Sequence, residues 1–208
     1  MREMAHKQLP QSVFDFADGG ADDEKTLRLN ESAFDQYVLL PRPLNGAPKR
    51  DLSVNLFGKS LKLPVIIGPT GLSGLFWPNG ECETAKAAHA AGTAFCLSHG
   101  STCTMEELAT TDATPRWMQV FIYKDQSFTE EFFTRADAAG FDALVLTIDN
   151  QITSKRERDL RNGFSIPPSL GLTGYAAMIL RYKWLWRMRN TLGNMTFGNY
   201  LRPGQNSN

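Results

Sequence analysis

Four places in the sequence join a short apolar run to small or hydrogen-bonding residues near its C-terminal end. Residues 65–67 lead into Gly68, Pro69, Thr70 and Gly71, and 94–97 lead into Ser98. Residues 117–122 contain Gln119, and 143–148 contain Thr147 and are closed by Asp149. Serine, threonine and glutamine offer neutral donors and acceptors, which suit the polar edge of an uncharged heterocycle. The glycines at 68 and 71 let backbone approach a flat ligand, with a tight structural turn as the alternative for that motif alone. Gln119 places an amide inside an apolar run, where it needs a partner. Asp149 calls for a cation or a histidine, and the role expected of it is to orient a catalytic histidine, with a surface ion pair as the alternative. Downstream, the mixed-charge run 155–162 holds Arg156, which suits either a solvated helix face or a fork gripping a substrate carboxylate.

These residues need elements to hold them. The strand-end positions 70, 98, 119 and 147 recur at the interval of successive βα units. Helical patterns are expected over 81–91, 105–109 and 128–139, with Gly92 and Gly140 placed as C-terminal caps, and no clear helix follows the fourth strand. The strands are continuously apolar, which predicts a parallel sheet covered on both faces. Polar groups at all four strand ends favour a barrel mouth over an open sheet, whose ligands gather at one switch point. The 68–74 segment has the wrong glycine spacing for a Rossmann turn or a P-loop. Ahead of the strands, helices are expected over 10–17 and about 22–36. A hairpin is expected over 53–57 and 60–63, of the kind that closes the bottom of a barrel.

The 208 residues carry 22 basic and 22 acidic side chains, so no net charge draws the chain to nucleic acid. Cys82, Cys96 and Cys103 lack metal-ligand spacing and no secretory signal opens the sequence, so a cytoplasmic, reducing setting is expected. Cys96 is expected in the core. His6, His89 and His99 are too scattered for a metal site. His99 follows a strand end, where a satisfied loop histidine is weighed against a ligand contact.

Taken in order, Phe14-Asp15-Phe16 before Gly19-Gly20-Ala21, then 68–71, Ser98, Gln119-Val120-Phe121, Thr147-Ile148-Asp149 and 156–159 resemble the FMN-dependent α-hydroxy acid dehydrogenase and oxidase family over about residues 7 to 168. The resemblance implies an α/β fold of the TIM (β/α)8 barrel type, of which this chain covers about the first four βα units behind an N-terminal helical segment. It implies that Pro69, Thr70, Gly71, Ser98, Gln119 and Thr147 bind FMN. It also implies that Asp149 orients a catalytic histidine and that Arg156 lies close to the carboxylate of a small 2-hydroxy acid. The chemistry would be oxidation to the 2-oxo acid, with electrons passed to a quinone or other acceptor. Phe16 and Phe121 stand where most relatives carry substrate-contacting tyrosines, so a less polar hydroxy acid or weaker catalysis is expected. The family's lysine, histidine base, main carboxylate-binding arginine and phosphate loops have no match in this sequence. The 208 residues alone are therefore expected to be inactive, and the complete protein to be a homo-oligomer. A non-catalytic half-barrel remnant that binds flavin weakly, or a partner or membrane, stays open as the alternative.

Three segments are expected: 1–63 capping the barrel, 64–168 forming its first half, and a basic, aromatic-rich stretch at 169–208. From Leu170 onward there are five cations and no acid, with Tyr175, Tyr182, Trp184 and Trp186 among them. That composition suits either a membrane interface, over about 174–190, or a docked segment. The resemblance favours a peripheral membrane contact at the inner face of the cell membrane.

Overall fold

The computed structural model of the chain describes residues 1–44, 46, 49–149, 152, 154–164 and 180–200. The described residues fall into two compact units, 1–51 with 152–186 and 52–151 with 187–208. The proposed segment 169–208 and the membrane stretch at 174–190 lie partly outside the described residues.

The second unit opens with an antiparallel hairpin, β1 (Val54–Leu56) and β2 (Lys59–Leu61), registered Val54 to Leu61 and Leu56 to Lys59. Its two-residue turn, Phe57 and Gly58, is left-handed at both positions (φ 48° and 75°). This turn matches the twist of the flanking strands. A phenylalanine is disfavoured there by about 1 kcal/mol; its ring meets Trp117 edge-on at 5.3 Å.

The parallel strands follow as β3 (Phe95–Leu97), β4 (Arg116–Val120) and β5 (Ala143–Leu146), paired in that order. The expected first strand at 65–67 is reduced to one bridge, Ile67 to Phe95. Pro64 and Pro69 cannot donate to a ladder, and the Val65 carbonyl accepts from the Thr93 hydroxyl instead of from a strand amide. The helices between these strands are α4 (Gly80–Ala91), α5 (Met105–Ala109) and α6 (Gln126–Ala138). Gly92 ends α4 in the left-handed conformation (φ 74°), with Gly140 likewise after α6 (φ 69°). Thr104 and Glu107 close a reciprocal capping box on α5.

Successive strand residues serve opposite faces. Phe95, Leu97, Met118 and Val120 pack with Ala85, Ala88, Met105, Leu108, Phe132 and Ala136 of the helices. Ala94, Cys96 and Trp117 pack with Leu61, Ile66, Ala143 and Val145, so the hairpin seals the other face. Burial raises the Cys96 thiol to about 12, as suits a core residue. β3 and β4 are buried on both faces as expected. β5 is not: Leu144 and Leu146 are about half exposed, because no described helix covers them. The described residues form an open arc of parallel βα units and no closed barrel.

The first unit holds α1 (Arg2–Gln8), α2 (Gln11–Asp18), α3 (Lys25–Ser32) with a 3-10 turn after it, and α7 (Glu157–Arg161). The helix α7 lies within the mixed-charge run 155–162, for which a helix face is one of the two readings. It is tied to α2 by polar contacts, with Asn162 Nδ2 donating to Asp15 (2.8 Å). Arg158 pairs with Glu24 at 2.6 Å, and the Asp22 amide donates to the Lys155 carbonyl at 2.8 Å. A last helix, α8 (Tyr182–Met188), buries Trp184 and Met188 and exposes Tyr182 and Trp186.

Candidate functional site

Ser98, Gln119 and Thr147 continue the inner-face alternation of Cys96, Trp117 and Val145, so β3, β4 and β5 deliver them to one side at their C-terminal ends. The amide of Gln119 is 4% exposed and satisfied at both ends. Its Oε1 accepts from the backbone N–H of His99 at 3.0 Å, and its Nε2 donates to Thr147 Oγ1 at 2.9 Å. This fixes which end of the amide points where, leaving one Nε2 proton and one Oε1 lone pair uncommitted. Ser98 Oγ accepts from Gly100 N–H at 3.1 Å.

The 68–71 segment lies beside this row. Residues 68–70 are exposed, and the backbone N–H groups of Gly68, Thr70 and Gly71 have no partner among the described residues. A Cβ on Gly71 would come within 3.1 Å of the Gly100 carbonyl and 3.8 Å of Ser98 Oγ. Glycine here permits the close approach of the two strand-end loops. The segment, Ser98, Gln119 and Thr147 thus present unspent donors and acceptors without a charged group, and these residues fit the edge of an uncharged heterocycle such as a flavin.

His99 is fully buried. Its Nδ1 lies 2.8 Å from the Tyr123 hydroxyl, which also contacts Nε2. Its ring packs on Tyr200 at 4.2 Å and edge-on against Phe121 at 5.3 Å. Burial without a counter-charge drives its pKa down to about 4. It is the satisfied loop histidine of the two readings, and through its ring it backs Phe121.

Asp149 lies beyond β5, exposed, with no hydrogen bond or ion pair among the described residues. The desolvation cost that would have demanded a partner does not arise at an exposed carboxylate. In the other unit Arg156 and Phe16, far apart in sequence, come together. The Arg156 guanidinium donates through Nη2 to the Phe16 carbonyl, and its Cζ sits 5.1 Å from the Phe16 ring centroid. Phe164 stacks on the same ring at 4.7 Å.

Two residues hold places that the sequence left without a role. Asp159 is buried and accepts from Arg156 Nε at 2.6 Å; its place three residues after Arg156, on one helical face, was the available signal. Asn199 is fully buried and holds the loop after β3, accepting from Met105 N–H at 2.8 Å and donating to Ser101 Oγ at 2.8 Å. Nothing local announced it.

Parallel βα units that carry neutral hydrogen-bonding groups at their strand ends suit a flat, uncharged ring. The family model described as FMN-dependent dehydrogenase matches residues 5–206. The chain is 37% identical to Glycolate oxidase 1 of Oryza sativa subsp. indica over 177 residues, 85% of this chain and 48% of that protein. It is 38% identical to the L-lactate dehydrogenase of Alcaligenes faecalis over 185 residues, 89% of this chain and 48% of that protein. The crystal structure of the monotopic membrane protein (S)-mandelate dehydrogenase superposes with a TM-score of 0.90 at 32% identity, covering 99% of this chain and 55% of that one. The chain belongs to the FMN-dependent dehydrogenase family, and it spans about half the length of the relatives it matches.

Proposed function

We propose that this chain supplies the flavin-edge half of an enzyme that oxidises a 2-hydroxy acid to a 2-oxo acid. The row Ser98, Gln119 and Thr147, with the unspent N–H groups at 68–71, carries this reading. Bound FMN supplies a two-electron acceptor, chemistry that no protein side chain here provides. Ser98, Gln119 and Thr147 present donors and acceptors to its pyrimidine edge. The backbone of Pro69, Thr70 and Gly71 lines its N5 side. Arg156 holds the substrate carboxylate, and Asp149 orients the histidine that takes the proton. Phe16 and Phe121 present rings without hydroxyls, which supports a substrate with an apolar side chain.

The reading extends to a homo-oligomeric, peripherally membrane-bound protein that passes electrons to a quinone. No described helix is long and apolar enough to cross a membrane. Support for a surface contact comes from exposed Leu180, Tyr182 and Trp186, and from the monotopic neighbour.

The complete protein is expected to purify yellow and to be bleached by a 2-hydroxy acid without oxygen. A colourless, fully folded complete protein would overturn the proposal.

A further inference from the structure

We propose that Asp159 is a positioning residue that aims Arg156 at an incoming carboxylate. The inference rests on the reading of Arg156 as the group that grips the substrate carboxylate. Asp159 is about nine-tenths buried in the short helix α7. Its Oδ2 accepts from Arg156 Nε at 2.6 Å, while its Oδ1 is buried with no partner among the described residues. A buried carboxylate oxygen left in this way costs stability, so the residue is not explained as a simple stabiliser.

The guanidinium has five N–H groups in a rigid fork. Asp159 takes the one on Nε, and the Phe16 carbonyl takes one on Nη2. Both lie on one edge of the plane, and the Phe16 ring lies against its face. The Nη1 protons and the second Nη2 proton have no partner among the described residues. That remaining edge is the one that meets a carboxylate with two parallel hydrogen bonds. Asp159 occupies the side edge, so an anion is directed to the end of the fork. Without it, the long side chain regains rotamer freedom that binding must remove again.

The experiment is calorimetric titration with pyruvate, a 2-oxo acid, and with methyl pyruvate, which lacks the charge. It uses the unsubstituted protein and Asp159→Ala, Asp159→Asn, Arg156→Ala and the Asp159→Ala/Arg156→Ala pair. Asp159→Ala is expected to weaken pyruvate about tenfold and to leave methyl pyruvate unchanged. Asp159→Asn keeps an oxygen for Nε and the volume of the site, so it should retain most of the affinity. In the Arg156→Ala background the second substitution should add nothing. Equal weakening for pyruvate and its ester, an additive double variant, or no weakening by either Asp159 variant overturns the positioning role. If pyruvate binds but Arg156→Ala is without effect, it is the reading of Arg156 that falls, and the role of Asp159 with it.

Discussion

Gln119 commits one end of its amide to the His99 backbone and the other to Thr147, so its remaining proton and lone pair cannot exchange places. Gln119→Leu keeps the volume and loses that ordered edge. It is expected to weaken FMN binding about tenfold, the loss of roughly one well-formed hydrogen bond, read by titration of flavin fluorescence. Its neighbour His99 makes a separate statement about pH. Burial holds the imidazole neutral down to about pH 4, whereas in the unfolded chain it titrates near its ordinary value of 6.5. Between these values the unfolded chain binds more protons. The contribution of His99 is therefore fully present above about pH 6.5 and is lost as the pH falls toward 4. On the order of 3 kcal/mol is expected to disappear across that window. Urea unfolding at stepped pH measures it; His99→Phe should flatten the dependence there, and an unchanged slope would assign it to another group.

At the scale of elements, α4 is anchored by Glu81, which lies in its first turn and is fully buried. One carboxylate oxygen accepts the Thr102 N–H at 2.9 Å and the other the Thr102 hydroxyl at 2.8 Å. The helix N-terminus also favours its charge. Glu81→Ala leaves two donors unpaired and is expected to cost about 2–4 kcal/mol in chemical unfolding, with Glu81→Gln milder because it keeps an acceptor. A loss below about 1 kcal/mol would mean that water replaces the carboxylate. This scale also separates what the sequence could and could not express. The helix Met105–Ala109 falls where its periodicity placed it, and Gly92 and Gly140 take the left-handed caps expected of them. Such features depend on neighbours a few residues away. Residues 65–67 had the composition of a strand but make one bridge, since the Thr93 hydroxyl intercepts a ladder carbonyl. The helix Arg2–Gln8 buries no residue and is tied by Arg2 to Asp18, with Nη2 to Oδ2 at 2.7 Å, so periodicity was silent about it. The neutral row Ser98, Gln119 and Thr147 was legible because strand ends repeat. The Arg156 and Phe16 contact was not, because 140 residues separate its partners.

At the scale of the whole molecule, the sheet is stable in its middle and open at its margins. β4 is paired on both sides and buried along both faces, while β5 pairs only with β4 among the described residues. Leu144, Leu146 and Ile148 are 46%, 50% and 79% exposed, and at the opposite margin Val65 and Ile67 are 56% and 37% exposed. An unpaired strand edge combined with apolar side chains is a template for association. Burying two half-exposed leucines in a partner would contribute roughly 2 kcal/mol, with the backbone ladder adding to it. The 208-residue chain is therefore expected to self-associate with rising concentration, seen by light scattering. The double substitution Leu144→Lys and Leu146→Lys puts charge on the face that β5 exposes without touching the inner face, where Val145 packs against the hairpin cluster. It should shift the chain toward monomer while leaving its circular dichroism unchanged. Association that persists undiminished in the double variant would place the contact elsewhere, with the exposed apolar loop at 37–40 as the next surface to change.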